Sequence, residues 1–182
     1  MIPIQAMMWL WVLWLVSWWG AAFWSDRAVK GPGAGPQVAY NLLTVAGGVL
    51  LFAVDSRDTI LRLPPAARWG TLGLAVAGFL FAWWARITLG RFWARNVSRK
   101  ADHRVIENGP YALVRHPIYT GIITATVATA LLKATWIAWA GVVVMTIGWY
   151  VKARLEERFL HGELGEAYDA YQRRVPMLVP FI

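Results

Sequence analysis

The chain has 182 residues, of which 58% are hydrophobic and 15% charged, against roughly 25% charged in an ordinary soluble domain. A net charge of +8 would suit a nucleic-acid binder. Here the basic side chains fall in the gaps between apolar runs, where they read as topology signals or as contacts to anionic lipid or cofactor, so no nucleic-acid partner is expected. The absence of cysteine excludes disulfides, zinc–thiolate sites and a cysteine nucleophile, and no metal site is expected.

A bilayer core takes about 20 apolar residues in a helix, and five runs qualify. Met7–Trp24 comes first. Met1 to Ser25 carries no positive charge, so the basic region of a signal peptide is missing and a retained membrane helix is expected. Gly31-Pro32-Gly33-Ala34-Gly35-Pro36 then stops any helix; no strand precedes this run, so it does not read as a nucleotide-binding loop. Val38–Val54 follows, then Asp55, Arg57, Asp58 and Pro64-Pro65, then Trp69–Ala85. Pro117–Leu132 and Ala134–Val151 are separated only by a tight turn near Lys133 and predict an antiparallel hairpin. The fourth run is rich in threonine (Thr120, Thr124, Thr126, Thr129), whose hydroxyls can bond back to the helix or across to a neighbour. The expected fold is all-α, an integral membrane protein of about five transmembrane helices. The length suits one structural unit, in which residues 1–87 hold three helices and residues 88–182 a functional core. Thirteen tryptophans fit rings settling at membrane interfaces.

Five spans sort the gaps onto two sides. Fourteen of the eighteen basic residues fall with the first gap, the segment after the third run and the C-terminal tail, whereas Arg57, Arg62, Arg68 and Lys133 fall on the other side. The positive-inside rule places the richer side in the cytoplasm and the N-terminus outside. On that side, residues 88–116 and 152–182 supply every histidine and seven of the ten carboxylates, which predicts a cytoplasmic site at the membrane surface.

Lys152–Arg174 predicts a further helix: Leu155, Phe159, Leu160, Leu164, Ala167, Tyr168 and Tyr171 recur at three- and four-residue spacing. Gly162 and Gly165 weaken its middle. An interfacial amphipathic helix and a lid over a site both fit this pattern.

Two stretches carry more specific information. One runs from His103 to Gly121 and contains Gly109-Pro110-Tyr111-Ala112-Leu113-Val114-Arg115-His116-Pro117-Ile118-Tyr119. The other contains Glu156-Glu157-Arg158-Phe159-Leu160, then Gly165-Glu166-Ala167-Tyr168-Asp169-Ala170-Tyr171 and Val175-Pro176, with Pro180 beyond. Together they resemble the signatures of the isoprenylcysteine carboxyl methyltransferases and the related phospholipid methyltransferases, over about Asn96 to Ile182. The resemblance implies S-adenosyl-L-methionine bound without a Rossmann domain, in a pocket at the cytosolic membrane face. By position it implies cofactor contacts from Asn96, His103, Arg104, Val105, Ile106, Tyr111, His116, Pro117, Ile118, Tyr119 and Glu156. It also implies a substrate-contacting arginine one turn before the glutamate; Lys152 stands there, with Arg154 two residues on. Lysine keeps the charge but loses the planar fork that suits a carboxylate, which weakens the case for a prenylcysteine carboxylate.

The residue types suit the chemistry. A carboxylate such as Glu156 can pair with the cofactor's ammonium, and aromatic faces tolerate a sulfonium. A carboxylate acceptor needs no base; an amine, thiol or hydroxyl does, and His116 is the candidate. The plainer readings are a helix start at His116-Pro117, a solvated Glu156 paired with Lys152, packing roles for Tyr168 and Tyr171, and lipid contacts for Arg173-Arg174. The expected function is methyl transfer to a lipophilic acceptor among membrane lipids, with His116, Glu156, Lys152 and Arg154 in the chemistry. The alternatives are a phospholipid N-methyltransferase and an NADPH-dependent sterol-reductase-like oxidoreductase.

Overall fold

A computed structural model describes residues 2–21, 34–53, 59–90 and 105–180. It is helical throughout: α1 (Ile2–Gly20), α2 (Ala34–Gly48) running into a π-helical turn (Val49–Ala53), α3 (Pro65–Leu89), a 3-10 turn (Gly109–Ala112), α4 (Pro117–Lys133), α5 (Trp136–Leu164) and α6 (Glu166–Arg174). The five apolar runs correspond to α1 to α5. The helix starts follow proline: Pro65 and Pro117 occupy first-turn positions, where a missing N–H costs nothing and the fixed φ is already helical.

Among the described residues, α3 and α5 are long and apolar enough to cross a membrane, and 37–53 and Pro117–Lys133 are shorter apolar helices. Trp9 and Leu13 of α1, Leu42 and Val45 of α2, Leu80 and Ile87 of α3 and Val143 of α5 all stand exposed. So much bare apolar surface, distributed over four helices, is the exterior of a bundle solvated by hydrocarbon.

The central helix is α4. Ala125, Ala128 and Thr126 are fully buried, and α4 packs on α3, α5 and α1. Its contact with α3 is made at Gly78 and Gly121, where a Cβ on either would run into the other's carbonyl oxygen. Small residues that bring two backbones this close are a usual means of holding helices together in lipid. A second close approach joins α2 to α5, where a Cβ on Gly141 would lie 2.8 Å from the Gly47 carbonyl oxygen. The threonines of α4 act as expected. Thr124 and Thr129 return hydrogen bonds to Thr120 and Ala125, and Thr129 Oγ1 also accepts one from the Trp11 indole at 2.9 Å. Trp11 packs edge-on against Phe79 at 4.8 Å, and Trp14 stacks on the same ring at 5.0 Å, tying α1 to α3.

The predicted hairpin forms. Ala134 adopts a left-handed conformation (φ 49°) and Thr135 caps α5, its hydroxyl accepting from the Ala138 N–H. The segment after the second run pairs with this turn through Ile60 N–H and the Ala134 carbonyl at 2.8 Å. Beyond Val151 the structure differs from a separate tail: α5 continues without interruption through Gly162 to Leu164. The chain breaks only at Gly165, whose φ of 55° places it in the region open to glycine. α6 then folds back, burying Tyr168 and Tyr171 with Val175.

Candidate active site at the end of the bundle

Four elements bring the polar cluster together. His116 is the residue before α4 and Tyr119 lies one turn in; Lys152, Glu156 and Glu157 lie on the second half of α5; Tyr111 sits in the 3-10 turn. The C-terminal segment straps the arrangement shut. The Arg115 and His116 N–H groups donate to the carbonyls of Pro176 and Met177 at 2.8 and 3.1 Å, and the Thr120 hydroxyl donates to Leu178 at 2.7 Å. The Arg115 guanidinium also donates to the Gln172 and Val175 carbonyls, capping the end of α6. The two sequence stretches are thus two halves of one hydrogen-bonded unit.

Glu157 is the buried acid, with a side chain 4% exposed. Arg115 Nε donates to it at 2.7 Å, and His116 Nε2 lies 3.3 Å from the same oxygen. Glu156, one residue earlier, turns the other way: the Tyr119 hydroxyl donates to it at 2.5 Å, and His116 Nδ1 lies 3.4 Å away. The imidazole therefore has a carboxylate at each ring nitrogen, and it stacks on Tyr119 at 5.5 Å. Burial disfavours its charged form, but the two carboxylates outweigh burial and raise its pKa above the ordinary 6.5. Burial pushes the Tyr111 phenol far up, with Glu156 adding to the effect, so Tyr111 stays protonated. The Lys152 side chain is buried, its ammonium 5.4 Å from the rings of Tyr40 and Tyr119 and 5.5 Å from that of Trp149, a cation–π arrangement drawn from three helices.

These groups face a cavity of about 580 Å³, within the usual range of small-molecule pockets. Val105, Ile106, Tyr111, His116, Ile118, Tyr119, Lys152 and Glu156, all named from sequence, line it. Pro117 is buried behind it. Arg154 is 47% exposed, outside the lining, and reaches Glu157 at 3.4 Å. Asn96, His103 and Arg104 lie outside the described residues. Arg115, Glu157 and Tyr168 join the site only through the fold, although Arg115-His116 and Glu156-Glu157 are adjacent pairs within the two motifs. From this polar end the cavity extends between α1 and α2 along Trp11, Trp14, Trp18, Val45 and Phe52, which periodicity could not assign to a site. Glu156 is not the solvated charge that helical spacing allows, since its side chain is only 20% exposed. His116-Pro117 both starts a helix and supplies the site. Tyr171 packs as expected, its hydroxyl donating to the Tyr111 carbonyl at 2.7 Å, and it also walls the cavity.

Comparison with known proteins bears on the family and the fold. The protein-S-isoprenylcysteine O-methyltransferase B of Arabidopsis thaliana is 28% identical over 114 residues, covering 61% of this chain and 58% of that protein. A methanethiol S-methyltransferase of Pseudomonas sp. (strain GM41(2012)) is 43% identical over 70 residues, covering 38% of this chain and 26% of that protein. The chain therefore spans little more than half of the plant relative and about a quarter of the bacterial one. The solved structure of a eukaryotic intramembrane Ras methyltransferase superposes with a TM-score of 0.60 at 24% identity, covering 83% of this chain and 55% of that one, so the fold is shared. The sequence profile of the isoprenylcysteine carboxyl methyltransferase family matches residues 71–162, and on that match, over half of its length, the chain belongs to this family.

Proposed function

We propose that the protein transfers a methyl group from S-adenosyl-L-methionine to a lipophilic acceptor at the cytoplasmic membrane face. The observation that carries this reading is one cavity joining a charged, hydrogen-bonded end at His116, Tyr119 and Glu156 to an apolar arm between α1 and α2. Leu15 and Val45, both exposed on the outside of the bundle, border that arm, so a lipid chain can lie there and enter from the side.

The residues present fit the cofactor. Glu156 offers a carboxylate to an ammonium, and Tyr111, Tyr119 and Trp149 offer faces to a cation or an adenine ring. The indole N–H groups of Trp14 and Trp149, which both line the cavity, are buried without a hydrogen-bond partner among the described residues; such donors are available to a ligand. When bound, S-adenosyl-L-methionine supplies an electrophilic methyl on a sulfonium.

The chain's own groups then position the acceptor and exclude water. Tyr119 and His116 hold Glu156, and Arg115 neutralises Glu157, so the acidic end is fixed before any ligand arrives. α6 closes that end with Tyr168 and Tyr171, in keeping with the lid rather than a merely interfacial helix. His116 has a carboxylate at each ring nitrogen, so neither nitrogen is turned toward an acceptor's proton. That favours an acceptor already deprotonated when it binds, and Lys152 supplies positive charge for it. A phospholipid amine, which must lose a proton, is correspondingly disfavoured. The apolar arm favours a long acceptor over a thiol as small as the one named for the Pseudomonas relative.

The test is an assay with labelled S-adenosyl-L-methionine against a prenylcysteine analogue, a lipid extract and methanethiol, with mass identification of the product. Label in a long-chain carboxylic acid supports the reading. Label in methanethiol alone, or tight binding of NADPH in place of S-adenosyl-L-methionine, defeats it.

A further inference from the structure

The apolar arm of the cavity has a floor. Counted away from Glu156, the last lining residue of each wall is Trp11 on α1, Phe52 on the π-helical turn after α2, Ile122 on α4 and Met145 on α5. Met145 lies eleven residues before Glu156, about 16 Å along the helix axis. α2 runs antiparallel to α5, with Thr44 beside Gly148 and Leu51 beside Gly141, so Phe52 lies deeper than Met145. Beneath the floor, Leu51, Ala130, Ala138 and Val142 are buried in one cluster with Met145, and Phe52 packs on that cluster.

The members of the floor are held in different ways. Trp11 donates to Thr129 at 2.9 Å and packs edge-on against Phe79 at 4.8 Å. Ile122 follows Gly121, where α4 meets α3, and Met145 rests where Gly47 brings α2 onto α5. Phe52 meets Trp11 edge-on at 5.2 Å and is carried by the π-helical turn Val49–Ala53, a local widening of the helix that is frequent at functional sites. Leu15 and Val45, where the arm borders the outside of the bundle, lie about one turn from Trp11 and two turns from Phe52. A chain that enters between them and turns inward meets these two rings.

We propose that Phe52 sets the length of acceptor chain that the arm admits, the chain running inward from the charged end and stopping against the Phe52 and Trp11 rings. The acceptor class is then a lipid with a single chain of bounded length, not a diacyl lipid or a long polyprenyl. The proposal rests on the reading that the arm holds the acceptor's chain; it is measured as binding, so it fails separately from the methyl-transfer chemistry.

The experiment uses the full chain in neutral detergent. Binding of unbranched fatty acids from octanoic to eicosanoic acid, expressed per mole fraction in the micelle, is measured by native mass spectrometry and by the shift in unfolding temperature. The wild type should show a length limit beyond which affinity falls about tenfold, as expected when a filled arm is overpacked. Phe52→Ala should move the limit to longer acids and Phe52→Trp to shorter ones. Cooperative unfolding without added acid verifies the fold of each variant. Equal binding of all lengths by the wild type means that the chain leaves through the side opening, and overturns the proposal even if no variant can be prepared. Failure of every acid to bind overturns it as well. A limit that stays in place in Phe52→Ala removes Phe52 as its cause.

Discussion

One carboxylate oxygen of Glu157 lies 2.7 Å from Nε of Arg115 and 3.3 Å from Nε2 of His116, so a single acid on α5 holds the turn that leads into α4. Removing it leaves a buried guanidinium and an imidazole without their counter-charge. Glu157→Ala should cost about 3–5 kcal/mol, the usual consequence of breaking a buried pair from one side. Combined with Arg115→Ala, the loss should be clearly less than the sum, with a coupling of about 1–3 kcal/mol. Denaturant unfolding in detergent measures both; strictly additive losses would mean that the two side chains do not share this role.

Glu156 performs a different task one residue away. Glu156→Gln keeps the shape and a hydrogen-bond acceptor for Tyr119 but loses the charge that faces a cationic ligand. Affinity for S-adenosyl-L-methionine or its demethylated product should fall about tenfold to a hundredfold, as expected for one charge-assisted contact. The unfolding temperature should change much less than in Glu157→Ala. Near-wild-type affinity by calorimetry would remove Glu156 from the cofactor site.

The raised pKa of His116 has a definite sign in stability. Above the unfolded value near 6.5, the folded state keeps a proton that the unfolded chain has released. The stabilisation by the charged ring is therefore complete below about pH 6.5 and lost as pH rises through the folded value. The difference in unfolding free energy between wild type and His116→Gln should shrink from about pH 5.5 to about pH 8.5. A difference that grew with pH would mean that the ring sits neutral between the two acids.

Sidedness is open to labelling because the chain has no cysteine of its own. Cysteines placed at Ala101 and Ala170 should resist a membrane-impermeant thiol reagent in intact cells and react after permeabilisation, whereas one at Ser56 should react at once. Labelling of Ala101 and Ala170 from opposite faces would require an odd number of crossings between them, and the two halves of the site could not meet.

Close packing gives a last test of the bundle. Gly121→Leu should prevent the approach of α3 and α4, since its Cβ alone would lie 2.9 Å from the Ala82 nitrogen. Overpacking of this kind costs about 1–3 kcal/mol or more. Gly73→Leu on the same pair of helices, where nothing lies within 4 Å, should be tolerated in a thermal-unfolding comparison.

The sequence made the hairpin legible because Pro117, the apolar run and the break near Lys133 all act locally. It made His116, Tyr119 and Glu156 legible because they stand in two dense motifs. It could not distinguish Glu156 from Glu157, since adjacent helical residues point about 100° apart and only the partner helix decides which is buried. Nor could it assign Trp11, Trp14 and Trp18 to a cavity wall. On a helix that is apolar all round, no pattern separates rings that face lipid from rings that face a ligand. The extension of α5 past Val151 was hidden by the change from apolar to charged composition at Lys152. That change does not end the helix.

That extension makes α5 a single rod of 29 residues, about 43 Å long, in a hydrocarbon layer of about 30 Å. Trp136 at one end and Glu156 near the other are separated by about 30 Å along its axis, the thickness of the layer itself. The acid pair consequently rides at a height fixed by how the rod is seated. A thicker bilayer draws Glu156 and Glu157 toward the acyl region and a thinner one lifts them into the headgroups or tilts the rod, at a fraction of a kcal/mol per ångström. Turnover in vesicles of graded acyl-chain length should therefore pass through a maximum, with the membrane itself acting as the gauge that levels the site.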